Sequence, residues 1–133
     1  MNAQKPYPAT FVQMNNEVIP YLNQLPELSH NEFLRKLEAQ LAKDLHPAEW
    51  GEISDNPTAH GIVDSLQRVV SSLIQEHSKS LGQVLYRIDI SEGKIRNLMS
   101  ATDAEERASV LAAEILEREA KKVWLRMHFS QNR

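Results

Sequence analysis

The sequence predicts an all-α fold, a single-domain helical bundle of four longer helices with one or two short helices before the last. Three observations carry that expectation. Apolar residues recur at spacings of three and four through most of the chain, the period of a helix with one buried side. Capping boxes and prolines divide these stretches where helices should begin and stop. One stretch alone also reads as an alternating strand, and no second strand candidate exists to pair with it. The 133 residues, 41% hydrophobic and 25% charged, suffice to bury roughly 65–70% of the unfolded surface in one core, and this composition argues against disorder.

Residues 1–8, with Pro6 and Pro8, are expected to form an irregular arm. Phe11, Met14, Val18, Leu22 and Leu25 then make one helical stripe. Pro20 interrupts it: lacking an N–H and crowding Asn16, it should kink or break the helix near Ile19, and Pro26 should end it. Ser29 with Glu32 forms a capping box for a second helix, whose apolar face is Phe33, Leu34, Leu37, Leu41 and Leu45 and whose limit is Pro47. Residues 48–56 make the longest connection, with Trp50, Gly51 and the turn cluster Ser54-Asp55-Asn56. Trp50 is expected to tuck onto the core.

Asn56 as cap and Pro57 at the first helical position suit the start of a third helix, running to about His77. Ile62, Val63, Leu66, Val69, Val70, Leu73 and Ile74 give it the wide apolar arc of a helix at the bundle centre. Gly61 falls on the opposite face. Residues 78–99 read in two ways. Leu81, Val84, Leu85 and Ile88 share a helical face, whereas Val84, Tyr86, Ile88 and Ile90 alternate like a strand; the missing strand partner favours helix. Ser91 can cap a short helix carrying Ile95, Leu98 and Met99. The closing helix, 102–128, opens on a capping box of Thr102 and Glu105. Its acids (Asp103, Glu105, Glu106) crowd the first turn and its bases (Lys121, Lys122, Arg126) the last, which complements the helix dipole.

Function is less legible. A net charge of -3 speaks against non-specific polyanion binding, which needs surplus Lys and Arg, so nucleic acid is not the expected partner. With no cysteine, neither a disulfide framework nor thiolate chemistry is available. No secretory signal opens the chain and no run approaches the ~20 apolar residues of a membrane span. The expected setting is the bacterial cytoplasm, with no membrane partner.

Four constellations of residues are candidates for chemistry. Residues 81–88, a break at Asp89-Ile90-Ser91 and residues 92–99 resemble the helix-turn-helix of DNA-binding proteins, whose second helix enters the major groove. That resemblance implies Lys94, Arg96 and Asn97 as reading residues. It departs from the family at Leu85, where a small residue is usual, and at Asp89, where Gly is common. The alternative is two short core-packing helices.

Glu119 stands second. At 100° per residue it falls among Ala108, Ala112, Ile115, Leu116 and Val123, and His77 falls in line with Ala59, Leu66, Val70 and Leu73. A buried carboxylate must be paired, and His77, Tyr86, Arg87 or an arginine of another chain are the candidates. A Glu–His pair could serve as an acid/base dyad. The structural alternative, which is favoured, leaves Glu119 at the stripe's margin and His77 satisfying the last carbonyls of its helix.

No metal or other cofactor is expected. The five histidines are scattered, and Glu27-x-x-His30, which has the spacing of a di-iron bundle motif, lies at a helix boundary without a second copy. His60 and Asp64 make a common solvated pair. The glycines form no phosphate loop, and no serine has a nucleophile elbow around it.

The fourth constellation is an interface. Val110, Trp124 and Leu125 lie outside the closing helix's main stripe, and residues 123–129, including Phe129, mix apolar groups with bases. Such a surface suits a partner, and it equally suits a terminus folded onto its own bundle. The runs Leu85-Tyr86-Arg87-Ile88-Asp89-Ile90-Ser91-Glu92 and Ile115-Leu116-Glu117-Arg118-Glu119-Ala120-Lys121-Lys122-Val123 resemble small uncharacterised all-helical bacterial proteins over about residues 80–126, which implies no activity. The expected function is a non-catalytic interaction or regulatory module that binds a protein partner or self-associates as a homo-oligomer. A DNA-binding regulator is the alternative, and an enzyme or ligand-binding bundle built on Glu119 and His77 is third.

Overall fold

The computed structural model describes residues 20–25, 27–45, 47–100 and 103–131, and every regular element among them is helical. A helical turn at 20–23 and a 3-10 turn at Glu27–Ser29 lead into α1 (His30–Asp44), α2 (Pro47–Trp50) and α3 (Ala59–Glu76). There follow α4 (Ser78–Ile88), α5 (Glu92–Met99) and α6 (Ala104–Gln131). The expected arm, most of the first stripe with its kink near Ile19, and Thr102 lie outside the described residues.

The core forms where α6 packs against α3 and α1. Phe33, Leu37 and Leu41 of α1, Ile62, Leu66 and Leu73 of α3, and Leu111, Ile115 and Leu116 of α6 are fully buried. Each such side chain contributes roughly 1.5–3 kcal/mol by leaving water. The wide arc of α3 reflects its place between neighbours, since Ile62, Val63, Leu66, Val69, Val70 and Leu73 are all buried. With 28 residues, α6 spans about 42 Å.

Helix starts depart from the sequence reading at two places, Ser29 and Asn56-Pro57. Ser29 occupies the cap position of α1 but makes no side-chain cap bond, because the preceding 3-10 turn holds its backbone helical (φ -89°, ψ -5°) instead of extended. The third helix begins at Ala59, not Pro57: Thr58 is extended (ψ 155°) and its hydroxyl accepts the Gly61 N–H at 3.0 Å. The Asn56 N–H instead donates to Ser54 Oγ at 3.1 Å within the connection. A Cβ on Gly61 would stand 3.1 Å from Thr58 Oγ1, so the missing side chain lets this cap close. On α6 the capping oxygen is Asp103 Oδ1, which accepts the Glu106 N–H at 2.8 Å.

Pro47 does more than limit α1, for it opens the short helix α2, where a missing N–H costs nothing. Trp50 is buried, and its indole N–H donates to Glu38 Oε2 at 3.1 Å. The other Glu38 oxygen accepts the Ser54 N–H at 3.3 Å, so one buried carboxylate secures both the ring and the loop beyond it. Arg68 of α3 donates to the carbonyls of Glu49 (2.7 Å) and Trp50 (3.2 Å), which satisfies the end of α2.

Residues 78–88 are helical. Leu81, Val84, Leu85 and Ile88 are buried while Tyr86 is 88% exposed, whereas an alternating strand would turn Tyr86 to the same side as Val84 and Ile88. Asp89 ends α4 in the left-handed conformation (φ 71°), with the N–H groups of Asp89 and Ile90 both reaching back to Leu85 O. That closure places Ile90 in the core. Ser91 Oγ then accepts the Lys94 N–H at 3.2 Å and starts α5. No helix among the described residues is long and apolar enough to cross a membrane.

Candidate functional site

The last turn of α1 meets the middle of α6 at a pair of acids. Leu37, Leu41 and Asp44 lie at positions i, i+4 and i+7 of α1, so Asp44 continues the face that carries the core leucines. It is 6% exposed, and Glu119, on the buried stripe of α6, is 0% exposed. The two carboxyl groups are neighbours, because the Lys122 ammonium contacts both. Lys122, one turn along α6, brings its Nζ to 2.9 Å from Glu119 Oε2 and 3.8 Å from Asp44 Oδ2. The ammonium thus pairs with one Glu119 oxygen, and Glu119 Oε1 has no donor among the described residues.

A proton on Glu119 resolves this arrangement. It removes one of two adjacent buried charges and provides a donor to Asp44. Burial and the neighbouring Asp44 push the Glu119 carboxyl up to about 7, against the pull of Lys122. Asp44 moves the other way: burial raises it, but the hydrogen bonds with Glu119 and Gln40 and the charges of Lys122 and Lys43 outweigh burial and hold it below its ordinary value. In mildly acid solution, below about pH 7, the pair therefore reads as an Asp44 carboxylate beside a Glu119 carboxylic acid.

Gln40 connects this pair to the surface. Its amide nitrogen donates to Asp44 Oδ2 at 2.6 Å, and its amide oxygen accepts from Arg126 Nη1 at 2.8 Å. Arg87 of α4 donates to the Asp44 backbone carbonyl at 3.0 Å. Above Gln40 runs a groove of about 360 Å³ between α1 and α6, with Glu32, Lys36, Ala39, Gln40 and Lys43 on one side and Val123, Arg126 and Met127 on the other. Val123 and Met127, core residues with only their edges exposed, back the groove, and Ala39 faces them across it. Three cations and one anion border the groove. The anion, Glu32, stands 3.8 Å from Lys36, and both are about half exposed.

The partners of Glu119 are thus Asp44 and Lys122 in place of those the sequence suggested. Tyr86 projects outward, Arg87 is engaged by the Asp44 carbonyl, and His77 sits at the junction of α3 and α4, where its backbone N–H closes α3 on Leu73 O at 3.2 Å. The interface candidates separate. Trp124 is half-buried, stacked on His128 at 4.8 Å and tilted against Tyr21 at 5.9 Å, and its indole nitrogen is buried with no acceptor among the described residues. Val110 and Leu125 are half-buried, Leu125 bordering a second groove with Ile88 and Arg118. Phe129 is 63% exposed, edge-on to His128.

Among the nucleic-acid candidates, Lys94 joins α5 to α6 through a 2.9 Å ion pair with Glu114, which raises the lysine's pKa. Arg96 and Asn97 are exposed. Among the described residues no group of three or more His, Asp or Glu side chains is placed to hold a metal ion, and His60 and Asp64 pair at 3.5 Å on the open surface.

Sequence reasoning missed Asp44 and Glu38, both buried acids on α1. The signal for Asp44 was its spacing from Leu37 and Leu41. Glu38 carried a like signal, four residues after Leu34 and three before Leu41, but its partners, Trp50 at the end of α2 and Ser54 in the loop beyond, do not follow from helical period. Comparison with protein-family models, curated proteins and solved structures gives no match to this chain.

Proposed function

We propose that the chain is a non-catalytic interaction module of the bacterial cytoplasm, and that it binds an acidic, amphipathic helical segment of a partner protein in the groove between α1 and α6. The observation that carries this reading is the groove's composition. The apolar edges of Val123 and Met127 lie between Lys36 and Lys43 on α1 and Arg126 on α6, on a chain whose net charge is -3. A helix laid in such a groove buries its apolar face and presents its acids to the rim, the helix-in-groove mode of recognition. The positive rim favours that sign of partner chiefly through encounter rate and specificity.

Binding of a fluorescently labelled acidic amphipathic peptide of about five helical turns tests it. The expected affinity is on the order of 10 μM, and the pair K43E and R126E should weaken it at least ~10-fold. Ala39→Trp, at an exposed helical position, should block the groove and abolish binding while the circular dichroism spectrum stays helical. Equal binding of the charge-reversed peptide, or no binding, overturns the proposal. A concentration-dependent dimer that Ala39→Trp dissolves, without peptide binding, makes a second copy the occupant instead. Retardation of duplex DNA that depends on Arg96 and Asn97 would favour the regulator reading. That reading draws less support, since Lys94 is committed to Glu114.

A further inference from the structure

We propose that the Asp44–Glu119 carboxyl pair is a proton-operated control on the α1–α6 groove: with one proton held between them the groove accepts an acidic segment, and loss of that proton disfavours it. This rests on the docking reading above and adds its regulation.

The groove and the buried pair share a wall. Gln40 borders the groove, donates inward to Asp44 Oδ2 at 2.6 Å and accepts from Arg126, on the opposite rim, at 2.8 Å. Lys122 lies between the two carboxyls, 2.9 Å from one and 3.8 Å from the other. With the proton in place, one carboxylate faces one ammonium, and Gln40 and Lys122 complete the set. Without it, two buried carboxylates share the single ammonium of Lys122, itself about one-third exposed, and the next cations along α1 and α6 are those at the rim. The added negative charge then acts on the groove in two ways. It opposes an incoming acidic segment directly, with little screening because the site is buried, and it draws Arg126 toward Gln40 and Asp44, away from a ligand.

The titratable groups that act on Glu119 come from two helices. From α1 it faces Asp44, with Gln40 and Lys43 beside that residue; from its own helix it faces Lys122. From α4, Arg87 approaches Asp44 through the backbone carbonyl. Arg68 of α3 donates to carbonyls of α2, and Lys94 of α5 pairs with Glu114. A residue with no exposed surface is no catalyst for a bound substrate. Its proton can still be exchanged against binding at a distance, because a ligand that prefers the protonated form must raise the affinity for that proton by the same factor.

The test is titration of the acidic peptide at pH 6 and pH 8, a range in which the peptide's own carboxylates stay ionised. For the native chain the dissociation constant should rise about 10-fold from pH 6 to pH 8, the uptake of at most one proton per peptide bound. Glu119→Gln, which keeps a neutral donor beside Asp44, should bind at both pH values as the native chain does at pH 6. Asp44→Asn, a second variant, removes the acid that competes for charge and should likewise flatten the dependence. A 10-fold change that persists in Glu119→Gln assigns the effect to histidine and overturns this proposal. Binding that is independent of pH in the native chain overturns the control but leaves the docking reading intact. Absence of binding at both pH values removes the docking reading and the control with it.

Discussion

Glu119 is a carboxyl that folding makes harder to ionise. Its pKa rises from an ordinary 4.5 to about 7 through burial and the proximity of Asp44. The folded state thus binds this proton more tightly than the unfolded chain does, and stability must change with pH. The contribution is complete below about pH 4.5, declines as pH rises through about 7, and amounts to roughly 3 kcal/mol across that window. Asp44 has the opposite sign. Its pKa falls on folding, so its contribution is present above its unfolded value and disappears as pH drops through the lowered one. Thermal melts should therefore show a maximum in mildly acid solution and a fall toward pH 8. Glu119→Gln should remove the alkaline fall and leave the acid one. An alkaline fall of equal size in that variant would mean that another group causes it.

Helix ends are less legible in the sequence than helix bodies, and the reasons are local. Capping depends on the φ and ψ of one residue, which neighbours set. At Ser29 a 3-10 turn intervenes, and at Asn56 the chain makes a turn with Ser54 before Thr58 takes up the cap. The apolar faces, by contrast, follow from spacing alone: Leu81, Val84, Leu85 and Ile88 are buried together, as the helical reading of that stretch required. The caps make discriminating variants. Thr58→Ala and Asp103→Ala should each lose about 1 kcal/mol in urea denaturation, and Asn56→Ala and Ser29→Ala only a few tenths. The reverse order would restore the caps read from sequence. Asp89 is a different case, since its left-handed backbone (φ 71°) is a position that glycine fills at lower cost. The departure from the helix-turn-helix pattern at this residue is thus one of side chain, not of backbone shape.

In the molecule as a whole, the all-helical architecture was legible because α1, α3 and α6 each carry a continuous apolar face that only packing against one another can bury. The site was half legible. The stripe of α6 exposed Glu119 as a carboxylate in an apolar setting and required a partner, but helical period says which way a residue faces and not which residue of another helix it meets. That needs the crossing of α1 over α6, and it brings Asp44 and Gln40 to Glu119, Lys122 and Arg126. Once those two helices are placed, a buried acid pair and a basic-rimmed groove lie on opposite sides of the same glutamine. The most direct measurement of this arrangement is the pH titration of the side-chain carboxyl ¹³C resonances, with the Glu119 and Asp44 signals assigned by Glu119→Gln and Asp44→Asn. The account predicts one transition near pH 7 for Glu119 and one below the ordinary aspartate range for Asp44 in the same molecule. Two transitions in the ordinary carboxylate range would contradict the shared proton and everything built on it.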